Sequence, residues 1–172
     1  MIWLVWLRRT IARTADHPAR CSGLTVGPSM PGVIAVAATG PAGWGADPAT
    51  NPDLPALYNN YGESLIDVAA PGGNIVNLES SDVCNVKGIV RPCWLFDFVM
   101  STNTGGWAWS AGTSMAAPHV AGLAALIVGA NGGTLSPQRV ENALRNGADD
   151  LGAPQRDAQF GHGRINADKS TR

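Results

Sequence analysis

The chain has 172 residues, 45% of which are hydrophobic, and its formal net charge at pH 7 is −1. This length is sufficient for one globular domain with a buried core. Because neither sign of charge dominates, the composition argues against nucleic acid or an anionic membrane surface as the main partner. Glycine (21 residues) and proline (12 residues) are frequent, so we expect tight loops between short elements.

The first 30 residues differ in character from the rest of the chain. They open with the apolar stretch Met1 to Leu7, turn basic at Arg8 and Arg9, and sustain no helix or strand period. A secretory signal has the opposite order, with positive charge before the apolar stretch, so no signal peptide is predicted. The longest apolar run, Val120 to Ala130, has 11 residues. About 18 are needed to cross a bilayer, so no transmembrane helix is predicted.

Strands and loops follow from Pro31 onward. The continuous apolar run over 33–38, bounded by glycines, predicts a buried parallel strand. Residues 65–70, which end in the turn Pro71-Gly72-Gly73, predict a second buried strand. Shorter strands are predicted over 75–78 and 96–100. Residues 40–63 are rich in Gly, Pro, Asn and Asp, which predicts a surface loop.

Two helices are predicted in the second half of the chain. Residues 115–130 are apolar on all sides, which favours a buried helix. A second, amphipathic helix should begin at Ser136-Pro137, with an N-cap followed by proline, and end near Gly147. Strands mixed with long helices indicate an α/β architecture.

The three cysteines, Cys21, Cys84 and Cys93, lack the CxxC spacing of zinc or redox sites. Cys84 and Cys93 flank a turn-like segment, so we expect a local disulfide in an oxidising compartment rather than two free thiols. Such a bridge requires Cα atoms within about 7 Å of each other.

The string at residues 112–122, GTSMAAPHVAG, places Ser114 on a small turn at the start of the apolar helix. Free backbone N–H groups and the helix dipole favour negative charge at that position. The position therefore suits a serine nucleophile and a developing oxyanion. A turn that merely caps a core helix has the same residues, so the physical argument alone leaves both interpretations open.

This string resembles the nucleophile motif of the subtilases, the subtilisin-like serine proteases. Three further segments resemble family segments in the same chain order: residues 31–38, 67–72 and 160–167. The resemblance covers residues 31–168, with 1–30 unmatched and 169–172 as a tail. It implies a partial subtilisin-like α/β fold, with helices on both faces of a parallel sheet that is incomplete on its N-terminal side.

The resemblance also implies a function, serine-type endopeptidase action on polypeptide substrates. Ser114 would attack the scissile carbonyl, its backbone N–H would form part of the oxyanion hole, and Thr113 would support that hole. The family motifs that carry the triad His, the triad Asp and the oxyanion Asn do not occur in the chain. We therefore expect a truncated, inactive form. The family resemblance implies a secreted or extracytoplasmic location; it also allows calcium, for which no ligand set can be assigned, and no other cofactor or metal is expected.

Local histidines do not replace the missing base in this interpretation. His119 lies five residues after Ser114 on one helix, which directs its side chain about 140° away. His162 stands between two glycines and is expected to be structural, and His17 lies in the unmatched segment. Three aspartates are expected at a strand end or a solvated helix end: Asp67, Asp149 and Asp150.

Two alternatives remain. An α/β-hydrolase esterase would use Ser114, Asp157 and His162 in that chain order, but Ala116 replaces the last glycine of its G-x-S-x-G elbow. The stronger alternative is a non-catalytic structural fragment, or a partner of a missing half. The chain alone does not specify the oligomeric state.

Overall fold

The computed structural model describes residues 32–62 and 65–172 in full, and the backbone of residues 3–5. The expectations for His17, for Cys21 and for most of the segment 1–30 lie outside these residues. Residues 3–5 form a strand, which the sequence does not predict because no strand period is sustained around it.

A parallel sheet forms the centre of the fold. Its strands are β1 (Trp3–Val5), β2 (Val33–Thr39) and β3 (Val68–Pro71), in the order β1-β2-β3. All seven residues of β2 are buried, which confirms the strand predicted over 33–38. The register pairs Val36 with Val68.

The second predicted strand is shorter than expected, because β3 begins only after Asp67. The carboxylate of Asp67 accepts a hydrogen bond of 2.8 Å from the Ala35 N–H, and its backbone N–H donates to the Ala35 carbonyl. The Asp67 side chain thus takes the backbone N–H of Ala35 in β2, which a backbone carbonyl of a paired strand would otherwise accept. The expectation that Asp67 ends a strand is wrong, since it precedes one.

Three helices follow in the second half of the chain: α1 (Thr113–Ala130), α2 (Pro137–Asn146) and the short α3 (Ala167–Ser170). Ser136 is the N-cap of α2 and Gly147 its C-cap, as predicted. Strands and helices share one core, whose largest buried members are Ile34, Val36, Val68, Val120, Leu123, Ile127, Val140 and Leu144.

Helix α1 is covered on one side only, which corrects the prediction of a helix buried all round. Its buried residues, Ala116, Val120, Leu123 and Ile127, recur at the spacing of a single face. Leu126, on another face, is 59% exposed. Among the residues that the structure describes, the sheet and α2 pack against the first face.

By length and composition α1 could also cross a membrane, with 18 residues and a mean hydropathy of 1.5. The sequence prediction differs because it rests on the length of the uninterrupted apolar run, which is 11 residues. Packing of α1 on the sheet and on α2 indicates a core helix that contributes to an α/β domain.

Two hairpins and a 3₁₀ helix lie between β3 and α1. Strands β4 (Val83–Val86) and β5 (Ile89–Pro92) pair antiparallel, the 3₁₀ helix spans Cys93–Asp97, and β6 (Val99–Asn103) pairs with β7 (Gly106–Ser110). The strand predicted over 75–78 is wrong, because those residues pair with no strand.

The strand predicted over 96–100 is displaced to 99–103 by a tertiary contact. The carboxylate of Asp97 is buried and accepts hydrogen bonds of 2.8 Å from the N–H groups of Gly43 and Trp44. This anchor holds the chain in the 3₁₀ turn up to Asp97, so the extended conformation begins two residues later.

The C-terminal segment is tied to β3 by an ion-pair network around Asp149. Its carboxylate accepts hydrogen bonds from Lys169, Asn166 and Arg164, and these bonds, led by that of Lys169, lower the pKa of Asp149. The backbone of Arg164 forms a bridge to Ala69 of β3. The expected solvated helix end is therefore wrong for Asp149, whereas Asp150 is exposed.

Cys84 and Cys93 form a disulfide, with Cα atoms 4.9 Å apart, as the sequence predicts. The bridge links β4 to the residue that opens the 3₁₀ helix. The disulfide therefore fixes the start of the 3₁₀ helix, which ends at Asp97, against the first hairpin.

Removal of this bridge should destabilise the chain. We expect Cys84→Ser with Cys93→Ser to lower the free energy of unfolding by about 2–3 kcal/mol, because the unfolded chain regains the freedom of the closed loop. Urea denaturation followed by circular dichroism measures this, and the unsubstituted chain in reducing agent should show the same loss. Equal midpoints for oxidised and reduced protein would contradict the expectation.

Tyr58 supports the turn after β3 from within the predicted surface loop. Its hydroxyl lies 2.6 Å from the Gly73 carbonyl oxygen and 2.9 Å from that of Gly72. Burial raises the pKa of Tyr58, against the opposing effect of a backbone hydrogen bond with Gly112. The protonated Tyr58 hydroxyl therefore lies within hydrogen-bond distance of two successive carbonyl groups, which share its one proton.

Tyr58→Phe should lower the free energy of unfolding by about 1–3 kcal/mol, because it leaves part-buried carbonyl groups without this donor. Tyr61→Phe is the control, since Tyr61 is 64% exposed. The raised pKa also predicts a stability contribution that is complete below pH about 10 and lost as the pH rises further. Thermal denaturation of both variants against pH measures these effects, and equal losses for the two would refute the assignment.

Candidate active site

The turn that delivers Ser114 is joined to the end of β3. The Gly112 N–H donates a hydrogen bond of 2.9 Å to the Gly72 carbonyl. A Cβ atom at Gly72 would lie 2.5 Å from the Ala38 Cβ and 2.8 Å from the Gly112 carbonyl oxygen, so only glycine allows this approach. Ser114 is the second residue of α1, which confirms its predicted place at a helix N-terminus.

The first turn of α1 is arranged for negative charge. Gly112 is its N-cap, with φ 156° and ψ 160°, a region that glycine alone populates readily. Met115 donates back to the Gly112 carbonyl at 2.9 Å, which closes the first turn. The N–H groups of Thr113 and Ser114 thus lie at the positive end of an 18-residue helix, with no acidic residue in its first turn.

His119 is occupied by its own helix. The exposed ring places Nδ1 2.7 Å from the carbonyl oxygen of Met115, one turn earlier. This contact fits the structural role expected for His119 from helix geometry.

His162 lies near the other end of β3 from Ser114. The backbone N–H of His162 donates a hydrogen bond to the carbonyl of Asp67, which lies just before β3. Ser114 lies near the other end of the strand, because Gly112, two residues before it, is bonded to Gly72 just after β3. The step of five residues from 67 to 72 spans about 16 Å in extended conformation. Burial, followed by the charges of Arg145 and Arg156, lowers the pKa of His162.

Asp157 does not complete a hydrolase triad either. One oxygen of its carboxylate accepts the N–H groups of Gln159 and Phe160, which shapes the turn before His162. The structure thus leaves Ser114 separated along β3 from the His162 segment, and the α/β-hydrolase arrangement is not formed.

Asp67 has a structural role that the sequence assigned only as a strand end. Its side chain is buried, and Oδ1 accepts a hydrogen bond of 2.6 Å from Arg145 of α2. Together with the bond from Ala35, this ion pair ties the sheet to α2. Removing Arg145 would weaken the pairing of a buried carboxylate, which is costly, because the nearest remaining cation, Arg156, lies 3.9 Å away.

Sequence reasoning missed Tyr58, which supports the turn next to Ser114 from the loop over 40–63. A loop carries no period that distinguishes a buried tyrosine from an exposed one. The neighbouring Tyr61 has similar sequence surroundings and is exposed. The one available signal is the amphipathic nature of tyrosine, whose hydroxyl finds a partner when buried.

An apolar groove of about 750 Å³ runs beside the uncovered side of α1. It lies along later turns of the helix rather than at Ser114, and its lining includes Phe96, Phe98, Pro118, Leu126 and Ile165. Over residues 32–62 and 65–172, no group of three or more His, Cys, Asp or Glu residues could hold a metal ion. The described side chains therefore offer no calcium site of that kind.

The sequence model of the Subtilase family matches residues 9–163, beginning within the N-terminal segment that the sequence sets apart. The chain is 39% identical over 142 residues to Alkaline elastase YaB of Bacillus sp. (strain YaB), covering 82% of this chain and 33% of that protein. It is 33% identical over 140 residues to Thermitase of Thermoactinomyces vulgaris, covering 81% of this chain and 44% of that protein. The chain thus spans less than half the length of these relatives.

Solved structures agree with this fold. The epidermin leader peptide processing serine protease from Staphylococcus aureus superposes with a TM-score of 0.64 at 26% identity, covering 85% of this chain and 32% of that one. Fervidolysin from Fervidobacterium pennivorans, a keratinolytic enzyme related to subtilisin, gives a TM-score of 0.55 at 25% identity, covering 84% and 19%. With the family model matching most of its length and Ser114 on the first turn of α1, the chain belongs to the subtilase family.

Proposed function

We propose that this chain is the C-terminal catalytic part of a subtilisin-like serine endopeptidase and that Ser114 is its nucleophile. The observation that carries the proposal is the position of Ser114 in the first turn of α1, on a turn bonded to the end of β3. Membership of a family of serine proteases supports the reaction class, peptide-bond hydrolysis. The family motifs lie within residues 31–168, with 169–172 as a tail, while β1 adds a strand to the same sheet from before this range.

The helix N-terminus supplies the electrostatic part of this mechanism. As Ser114 Oγ attacks the peptide carbonyl, negative charge develops on the carbonyl oxygen. The backbone N–H of Ser114 donates to that oxyanion, and Thr113 supports the same hole. Because these donors are held in the first turn of a packed helix, they need no rearrangement when the charge forms.

The base and its orienting carboxylate would come from polypeptide that precedes this region in the family. A serine hydroxyl near neutral pH needs a base within hydrogen-bond reach. His119 is bound to Met115, and His162 lies near the far end of β3. We therefore infer that the 172-residue chain by itself is inactive.

The wider setting is also a proposal. Polypeptides are the substrate class, and secretion agrees with relatives named Extracellular protease and Extracellular basic protease. An oxidising location also fits the disulfide between Cys84 and Cys93. Calcium stays an expectation from the family, with no residues assigned to it.

A second candidate role, as the partner of a separate complementary half, is favoured by the uncovered side of α1. Leu126 is 59% exposed, and an apolar groove runs beside it. Soluble domains rarely leave such a surface without a cover. In this role the chain would contribute Ser114 to a site assembled from two polypeptides.

The 172-residue chain should show no turnover of casein or of a chromogenic peptide above that of its Ser114→Ala variant. The reason is that neither His119 nor His162, the histidines of the described residues, is placed as the base that the Ser114 hydroxyl needs. Circular dichroism establishes that both proteins are folded before the assay. Turnover that Ser114→Ala abolishes would show that the chain contains a base and is a complete enzyme.

Joining residues 32–172 to an upstream polypeptide segment that carries the family's Asp, His and Asn motifs should produce protease activity. Ser114→Ala should then lower kcat by several orders of magnitude, on the order of 10⁶ as in subtilisin. Ser110→Ala is the control, because this exposed serine precedes the turn. A fluorophosphonate probe should label the active protein and not the Ser114→Ala variant; unchanged activity in that variant would refute the nucleophile assignment.

A further inference from the structure

The hairpin β6–β7 carries an apolar face directly before the nucleophile turn. The register pairs Met100 with Trp109 and Thr102 with Trp107. Directly paired residues of an antiparallel hairpin project on the same side, and so do residues two apart on one strand. These four side chains therefore form one surface, here called the aromatic face: Met100, Thr102, Trp107 and Trp109.

The aromatic face is open to solvent. Trp107 is 67% exposed and Met100 is 50% exposed, while Trp109 is half-buried. The opposite side of the hairpin carries Val99, Ser101, Ala108 and Ser110, so both tryptophans and the methionine lie on the aromatic face. Exposed tryptophan is enriched at binding surfaces, because its large ring contributes much contact area.

The connection to the nucleophile is short and anchored. Strand β7 ends at Ser110, and Ala111 alone separates it from Gly112. Ser114 is the fifth residue after Trp109, so their Cα atoms lie within about 18 Å of each other. Because Gly112 is bonded to Gly72 at the end of β3, the base of the hairpin is held relative to the helix that carries Ser114.

We propose that the aromatic face binds bulky apolar side chains of the polypeptide substrate a few positions away from the scissile bond. This inference rests on the proposed protease function, since the hairpin leads directly into the turn that carries Ser114. The segment 99–110 contains no Asp, Glu, Lys or Arg, so the surface selects by apolar contact rather than by charge. Stacking on Trp107, with Met100 and Trp109 beside it, favours aromatic and large aliphatic residues.

The test uses the full chain with Ser114→Ala, so that binding is measured without turnover. A fluorescein-labelled Gly/Ser peptide with two Phe residues is compared with its Phe→Ser counterpart by fluorescence anisotropy. We expect the Phe peptide to bind at least about fivefold more tightly, as one or two aromatic contacts allow. Trp107→Ser should remove this preference and Trp107→Tyr should retain most of it.

Leu126→Ser is the matched control, because Leu126 on α1 is 59% exposed and lies outside the hairpin. The preference should persist in this variant, and a benzophenone form of the Phe peptide should crosslink within residues 99–110. Equal binding of the two peptides, loss of the preference in Leu126→Ser alone, or crosslinks confined to α1 would overturn the proposal. So would self-association of the chain, measured by sedimentation, that Trp107→Ser disperses.

Failure of the proposed function has a different signature. If protein joined to the upstream motifs stayed active after Ser114→Ala, the nucleophile assignment would fail while the anisotropy result stood. If Ser114 proved essential and the Phe peptide showed no preference, the aromatic face alone would be refuted.

Discussion

The hydrogen bond from Gly112 to Gly72 is the contact on which the site depends. It joins the end of a buried parallel strand to the start of the helix that carries Ser114, and it forms only because residue 72 has no side chain. The strand end is held in turn by the Thr39 carbonyl, which accepts hydrogen bonds from Gly72 and Gly73, and by the hydroxyl of Tyr58. The geometry around Ser114 comes from backbone packing, with one tyrosine as a support.

Helix α1 has one packed side and one open side, and this asymmetry agrees with the length comparison. The chain covers 33% of Alkaline elastase YaB and 44% of Thermitase, whereas these proteins match most of this chain. A helix that is apolar all round gains little stability from an exposed side, because its apolar surface remains in water. Within residues 32–62 and 65–172, the open side of α1 supports the same proposal as the need for a base, namely that further polypeptide completes the site.

The segment between β3 and α1 is fastened at two points. The Cys84–Cys93 disulfide closes one hairpin, and the buried carboxylate of Asp97 fastens the following 3₁₀ turn to the loop at Gly43. The second hairpin leaves from this fastened point and ends at the nucleophile turn. The proposed aromatic face is thus carried by a hairpin whose two ends are both held to the rest of the fold.

The sequence by itself determined the features whose signals are local. The apolar run of β2, the Ser136 cap of α2, the place of Ser114 at a helix start and the pairing of Cys84 with Cys93 each follow from neighbouring residues. Tertiary structure decided the features that depend on distant partners: the late start of β3 after Asp67, the displacement of a predicted strand by Asp97, the network around Asp149 and the burial of Tyr58. A buried carboxylate or hydroxyl takes its conformation from whichever donors and acceptors the fold brings to it, and these lie tens of residues away in the chain. The exposed side of α1 could not be predicted for the same reason, since an apolar helix has the same sequence pattern whether one or both of its sides are covered.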